Sequence, residues 1–199
     1  MIYDLGNTYD ISKAVRDEKY ANSKGIIVKS TKINDINLYM LNYEKDKITK
    51  DNDLGYFRSV ITDGEKIVCF SPPKSDSYLD FIKENKYENV TIEKFVEGTM
   101  INLFYYNDEW NIATRGNIGA KCKFFRDYEK TFRVLFLETM NECGLEFDML
   151  NNELCYTFVM QHPENRIVIP FVEKKLIIIG LYKCNENSVD SWKDTEVIL

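Results

Sequence analysis

Several side chains in this sequence have types and neighbours suited to phosphate or nucleic-acid chemistry. Arg115 stands directly before Gly116 in "ATRGNIGA", and a glycine lets backbone come close to a bound group. Arg58 lies in the β-branched and aromatic stretch "GYFRSVIT" (55–62), where its alternative use is a surface ion pair. In "TIEKFVEG" (91–98) an amine, Lys94, precedes a carboxylate, Glu97, and a glycine, Gly98. "KCKFFR" (121–126) interleaves charge with rings, a pattern that suits stacking on bases, although Phe124 and Phe125 serve a core equally well. Other site chemistries are poorly supplied. His162 is the only histidine, and the five cysteines lie far apart with no Cys-x-x-Cys pair. This argues against a zinc site and a disulfide framework, and for a reducing compartment.

The elements that must position these residues read mostly as strands. A short helix over 12–22 opens at Ser12. Strand composition follows at 25–30, 36–44, 55–62 and 66–71, the last two joined by the Asp63-Gly64 turn. "SPPKSDSYLDFIKENK" reads as a proline-stiffened turn, then a helix capped by Asp76 or Ser77 that buries Leu79 and either Ile82 or Phe81. Further strands fall at 90–96, 99–106 and 109–114, the last after an Asn107-Asp108 turn. From Asp127 to Cys143, apolar Phe132, Leu135, Phe136 and Met140 recur at helical spacing. Strands return at 154–160, 166–172 and 174–183, with a hairpin turn at Glu173-Lys174. With no repeats and no Gly/Ser linker, residues 1–199 read as one α+β domain built on antiparallel sheet.

Composition narrows the partners. A chain of 199 residues with 44% hydrophobic and 14% aromatic residues can bury a substantial core. A net charge of −6 disfavours binding nucleic acid over the whole surface, so a phosphate ligand must meet a local basic patch. The N-terminus shows no signal core, and the longest apolar run, "LIIIGLY" (176–182), is too short to span a bilayer. The expectation is a cytoplasmic protein with no membrane association.

Three collinear segments between about 36 and 183 resemble the phage-type RNA ligase family, relatives of DNA ligases and capping enzymes. "GYFRSVITDGEKIVCFSPPKSDSY" is similar to that family's early hairpin, with Arg58 and Lys74 on its basic positions. "FVEGTMINLFYYNDEWNIATRGNIGA" resembles its nucleophile motif and the strand after it, with Glu97, Gly98 and Thr99 on the acid-Gly-Ser positions and Arg115 on a basic one. "YTFVMQHPENRIVIP" resembles its Pro-x-Asn-Arg segment, carrying Arg166. The wording also looks like ligase-like proteins of large DNA viruses, whose setting would be the host cytoplasm. The resemblance implies the antiparallel α+β nucleotidyltransferase fold of ligase adenylation domains, or its N-terminal two-thirds, with the chain either a shortened relative or a fragment. It further implies RNA or nucleotide as partner, and ATP with Mg²⁺ if the chain is active.

Departures from the family pattern concern the reaction itself. There a lysine attacks the α-phosphate of ATP, which requires bringing an amine of pKa about 10.4 toward roughly 7–8. Here the aligned position holds Phe95, and strand alternation points the neighbouring Lys94 to the other face. The family's ribose-binding glutamate aligns with Val159, which cannot accept a hydrogen bond. Its later Glu-Gly and Lys-x-Lys motifs are not found after "NRIVIP", where "VEKKL" (172–176) reads as a turn. No metal ligands are assigned. The leading expectation is a ligase-like module that binds nucleotide or RNA ends without forming lysyl-AMP. An active RNA ligase using Lys94 or another lysine, and a scaffold protein binding a protein partner, are the alternatives.

Overall fold

The computed structural model describes residues 1–49, 52–85, 88, 90, 92, 94–125, 129–165 and 169–192. Near the N-terminus, strand β1 (Ile2–Asp4) leads to two short helices, α1 (Ile11–Arg16) and α2 (Glu18–Ser23). They replace the single helix expected over 12–22. Asp17 divides them: its backbone is extended, and its carboxylate caps α2 by accepting from Tyr20 N at 3.1 Å. Asp10, not Ser12, caps α1, accepting from Lys13 N at 2.8 Å. The Ser12 hydroxyl instead donates to Gly64 O at 2.8 Å.

Strands β2 (Ile26–Ile33), β3 (Ile36–Tyr43), β4 (Arg58–Thr62) and β5 (Ile67–Cys69) form a four-stranded antiparallel meander in sequence order. Asn34 and Asp35 turn β2 into β3 with φ of 46° and 67°. Such left-handed pairs match the twist of the strands they join, and Asn and Asp tolerate them best. The second sheet uses β6 (Thr99–Tyr106), β7 (Glu109–Thr114), β8 (Asn117–Ile118), β9 (Cys155–Gln161), β10 (Lys175–Cys184) and β11 (Ser188–Ser191). Its order is β1-β11-β10-β9-β6-β7-β8. Helices α3 (Tyr78–Glu84) and α4 (Phe132–Glu142) complete the α+β architecture.

Alternation along the large sheet divides its side chains between two cores. Phe104, Ala113, Cys155 and Tyr182 meet the smaller sheet, whose core also takes Ile11 and Ala14 of α1. Ile101, Leu103, Ile112 and Phe158 face the other way and receive Leu135, Phe136 and Met140 of α4. The α4 stripe is therefore the one its spacing predicts. Thr131 caps this helix, so it begins several residues after Asp127.

Three further expectations need correction, and one pairing is new. Among the described residues of 90–96 no strand forms: Ile92 is 92% and Phe95 88% exposed. Pairing of β6 with β9 begins only at Thr99↔Met160, and β9 already has β10 on its other side, so the preceding chain has no edge to join. Residues 169–172 are likewise not a strand, and 166–168 lie outside the described residues. The partner of β10 across its turn is therefore β9, through the connection 162–174. Helix α3, capped by Ser77, leaves Leu79 and Phe81 exposed and buries none of its residues. Finally β1 and β11, three and four residues long, pair with each other at one sheet edge and were not anticipated.

Candidate functional site

A β-bulge opens the cleft between the sheets. Across the β3–β4 ladder Leu41 pairs with Val60 and Asn42 with Arg58, leaving Ser59 without an opposite residue. Ser59 has φ of 80°, a strained conformation for a residue with a Cβ. Bulges re-aim neighbouring side chains. Ser59 is held there by a buried relay: Asn102 Nδ2 donates to Ser59 Oγ at 3.3 Å, and Asn102 Oδ1 accepts from Thr157 Oγ1 at 3.0 Å. The Ser71 hydroxyl donates to Arg58 O and pins the backbone on the other side.

Arg58 then reaches a hollow of about 340 Å³, a size suited to a small ligand. Arg115 and Gly116, from the β7–β8 turn, form the opposite wall. Lys29 and Lys45 also line it, with Tyr43 and Ile27 as apolar surface. Arg58 Nε is buried and has no hydrogen-bond partner among the described residues. A buried, unpaired guanidinium donor is costly unless a ligand completes it. Among the described residues of the wall the one carboxylate is Glu44, which pairs with Lys47 at 2.8 Å. The hollow thus offers several donors to phosphate oxygens and, among the described residues, a single carboxylate.

The other expected site residues lie elsewhere. Lys74 lines a separate hollow of about 330 Å³ alongside Asp53, Asp76, Asp80 and Glu84. Glu97, Gly98 and Thr99 do not line the Arg58 hollow but are fastened to the end of β9. Gln161 Nε2 donates to Glu97 O at 2.8 Å, Ile169 N donates to Glu97 Oε1 at 3.2 Å, and Asn165 Nδ2 donates to Thr99 Oγ1 at 2.6 Å. At Gly98, φ is 151° and an added Cβ would stand 2.6 Å from both Met160 O and Val159 Cγ1. Val159 is buried, while Lys94 is exposed on the non-strand segment before Gly98. Arg166 lies outside the described residues.

Two further clusters carry titratable groups. Glu138, His162 and Glu164 bring ligand atoms within 4.8 Å of one another. Lys130 already supplies the positive charge there, 3.0 Å from Glu138 Oε2 and 2.6 Å from Glu164 Oε1. All five cysteines are free thiols, although Cys155 and Cys184 approach to 3.6 Å between sulfurs. Sequence reasoning reached Arg58 and Arg115 but missed Lys29 and Lys45. Alternation in "GIIVKSTK" would have placed Ile27, Lys29 and Thr31 on one face of β2.

Among the described residues no helix is long and apolar enough to cross a membrane. No protein-family profile matches the chain. The structure is similar to that of a putative ATP-dependent DNA ligase from Aquifex aeolicus, with a TM-score of 0.49 and 18% identity, over 90% of this chain and 44% of that one. In sequence, it is 36% identical over 98 residues to an RNA ligase of Rhodothermus phage RM378, a match that covers 45% of this chain and only 22% of the phage protein.

Proposed function

We propose that this chain is a ligase-like nucleotidyltransferase module that holds the phosphate of a nucleotide or RNA end between Arg58 and Arg115, without forming a covalent lysyl-nucleotide. The observation that carries the reading is the buried Arg58 Nε, without a hydrogen-bond partner among the described residues, on a side chain that lines a hollow together with Lys29, Lys45 and Arg115. The sequence similarity to a phage RNA ligase supports the substrate class. Loss of the covalent step is supported by Lys94, which is exposed and does not line that hollow, and by Val159 in place of a ribose-binding acid. If the chain were active it would need ATP and Mg²⁺ as ligases do.

Binding of fluorescein-labelled, 5′-phosphorylated RNA, followed by anisotropy, tests the reading. Hydrogen bonds to charged groups contribute about 1.5–3 kcal/mol, so Arg58→Ala is expected to weaken binding by about tenfold or more. Arg115→Ala should weaken it as well. Binding unaffected by both substitutions would overturn the assignment. Incubation with labelled ATP and magnesium should leave no label on the denatured protein, and Lys94-dependent labelling would establish an active ligase instead.

A further inference from the structure

The Arg58 hollow does not stand alone. A second hollow of about 370 Å³ is lined by Thr31, Lys32, Trp110, Gly119, Lys121 and Arg133, among others. Strand β2 serves both: Ile27 and Lys29 line the first, Thr31 and Ile33 the second. The opposite wall is also continuous, running from Arg115 and Gly116 to Ile118, Gly119 and Lys121. Both walls lie at sheet edges: among the described residues β2 pairs only with β3 and β8 only with β7. Two hollows set end to end between two sheet edges make one groove.

Charge along this groove opposes that of the molecule. Lys32 is paired with Asp35 at 2.8 Å, and Glu109, on the second hollow's wall, accepts from Asn34 Nδ2 at 2.7 Å. Lys29, Lys45, Arg58, Arg115, Lys121 and Arg133 have no ion-pair partner among the described residues, in a chain of net charge −6. Six such cations outnumber the two lining carboxylates, Glu44 and Glu109, and a predominantly cationic track attracts an anionic polymer rather than a single ion. Half-buried rings stand at intervals beside it, Tyr43 in the first hollow and Trp110 in the second. Trp110 is braced by Phe147, with ring centroids 6.1 Å apart and planes inclined by 17°. A braced ring beside cations is the arrangement that takes single-stranded bases irrespective of sequence.

We propose that the groove along β2, from Arg58 and Arg115 to Lys121 and Arg133, is the track for a single-stranded polynucleotide whose terminal phosphate occupies the first hollow. This rests on the phosphate-binding reading above and extends it to the polymer. From Ile27 to Ile33 a strand rises about 20 Å, room for up to about six phosphates at the roughly 3.4 Å per-strand spacing of stacked bases.

The test compares a 5′-phosphorylated RNA dinucleotide with an octanucleotide by fluorescence anisotropy, across a salt series. The unaltered protein should bind the octanucleotide at least about tenfold more tightly. Lys121→Glu with Arg133→Glu should abolish most of that gain while leaving dinucleotide affinity in place, and Lys121→Gln with Arg133→Gln should reduce the slope of log K against log salt by about 1.4. Unchanged melting temperatures would establish that both double variants fold. An octanucleotide gain that survives both double variants overturns the track, even where Arg58→Ala still weakens the dinucleotide and the phosphate site stands. A gain that vanishes in the double variants, with Arg58→Ala inert, retains the track and removes the phosphate site. Equal binding of poly-glutamate with the same dependence on Lys121 and Arg133 would overturn the nucleic-acid occupant in favour of an acidic polypeptide.

Discussion

Gly98 shows how a residue nominated for ligand contact can have a structural reason for its type. The segment 97–99 crosses the end of β9 so closely that a Cβ at Gly98 would meet a backbone oxygen, Met160 O, at 2.6 Å. Backbone cannot swing aside as a flexible side chain can. Gly98→Ala is therefore expected to cost about 1–3 kcal/mol, the range for overpacking, and to lower the melting temperature by several degrees. A calorimetric scan with an unchanged midpoint would show that the segment lifts away without cost. The contrast with Arg58 is instructive. Gly98 is packed against the end of β9 and Thr99 accepts from Asn165, whereas Arg58 Nε has no hydrogen-bond partner among the described residues. The sequence displays both as plausible ligand residues, and only packing separates them.

Among elements, the latch between α4 and the turn after β9 carries a pH dependence. His162 is 1% exposed, and its Nδ1 accepts from Glu164 N at 3.1 Å. Its Nε2 lies 3.3 Å from Glu138 Oε2 on α4. Burial lowers its pKa from the ordinary 6.5, and Lys174 lowers it further, outweighing Glu164 and Glu138, which favour the proton. Lys130 holds Glu138 below its usual range and fixes the carboxylate pair. Because the folded pKa is depressed, the unfolded chain binds more protons as pH falls below about 6.5. The stability tied to neutral His162 is present above that pH and is lost as pH falls toward the folded value. His162→Gln should flatten this part of the stability curve in urea titrations between pH 7 and 5, and an unflattened curve would assign the loss to other groups. Only α4 itself was legible here: Phe132, Leu135, Phe136 and Met140 share a face by spacing alone. The latch was not, because it joins residues from separate elements through a loop with no periodicity. The same cause hid β1 and β11, which are too short for alternation to register and pair across most of the chain. Helix α3 failed in the opposite sense. Its apolar residues suggested burial, yet Leu79 and Phe81 face solvent.

On the scale of the whole molecule, the two sheets meet along a cleft whose cations come from well-separated parts of the chain. Arg58 comes from a bulge in the smaller sheet and Arg115 from a turn in the larger one. Strand content, hairpin turns and the α+β class could be read before the structure, because alternation and turn chemistry are local. The approach of β8 to the smaller sheet could not, since no local pattern specifies which sheet edges converge. This arrangement also decides what a lysine introduced at residue 95 can do. A lysine that attacks the phosphate held by Arg58 and Arg115 must reach their hollow. Lys94 and Phe95 instead occupy exposed chain before Gly98, beyond the paired end of β9. Phe95→Lys supplies the amine at the family spacing without supplying this approach, and Val159 still offers nothing to a ribose hydroxyl. The expected outcome with labelled ATP and magnesium is no covalent label above that of the unaltered protein. Clear labelling of Phe95→Lys, resistant to denaturation and absent from Phe95→Arg, would show that the segment before Gly98 folds over the cleft when nucleotide binds and that the missing amine is the main lesion.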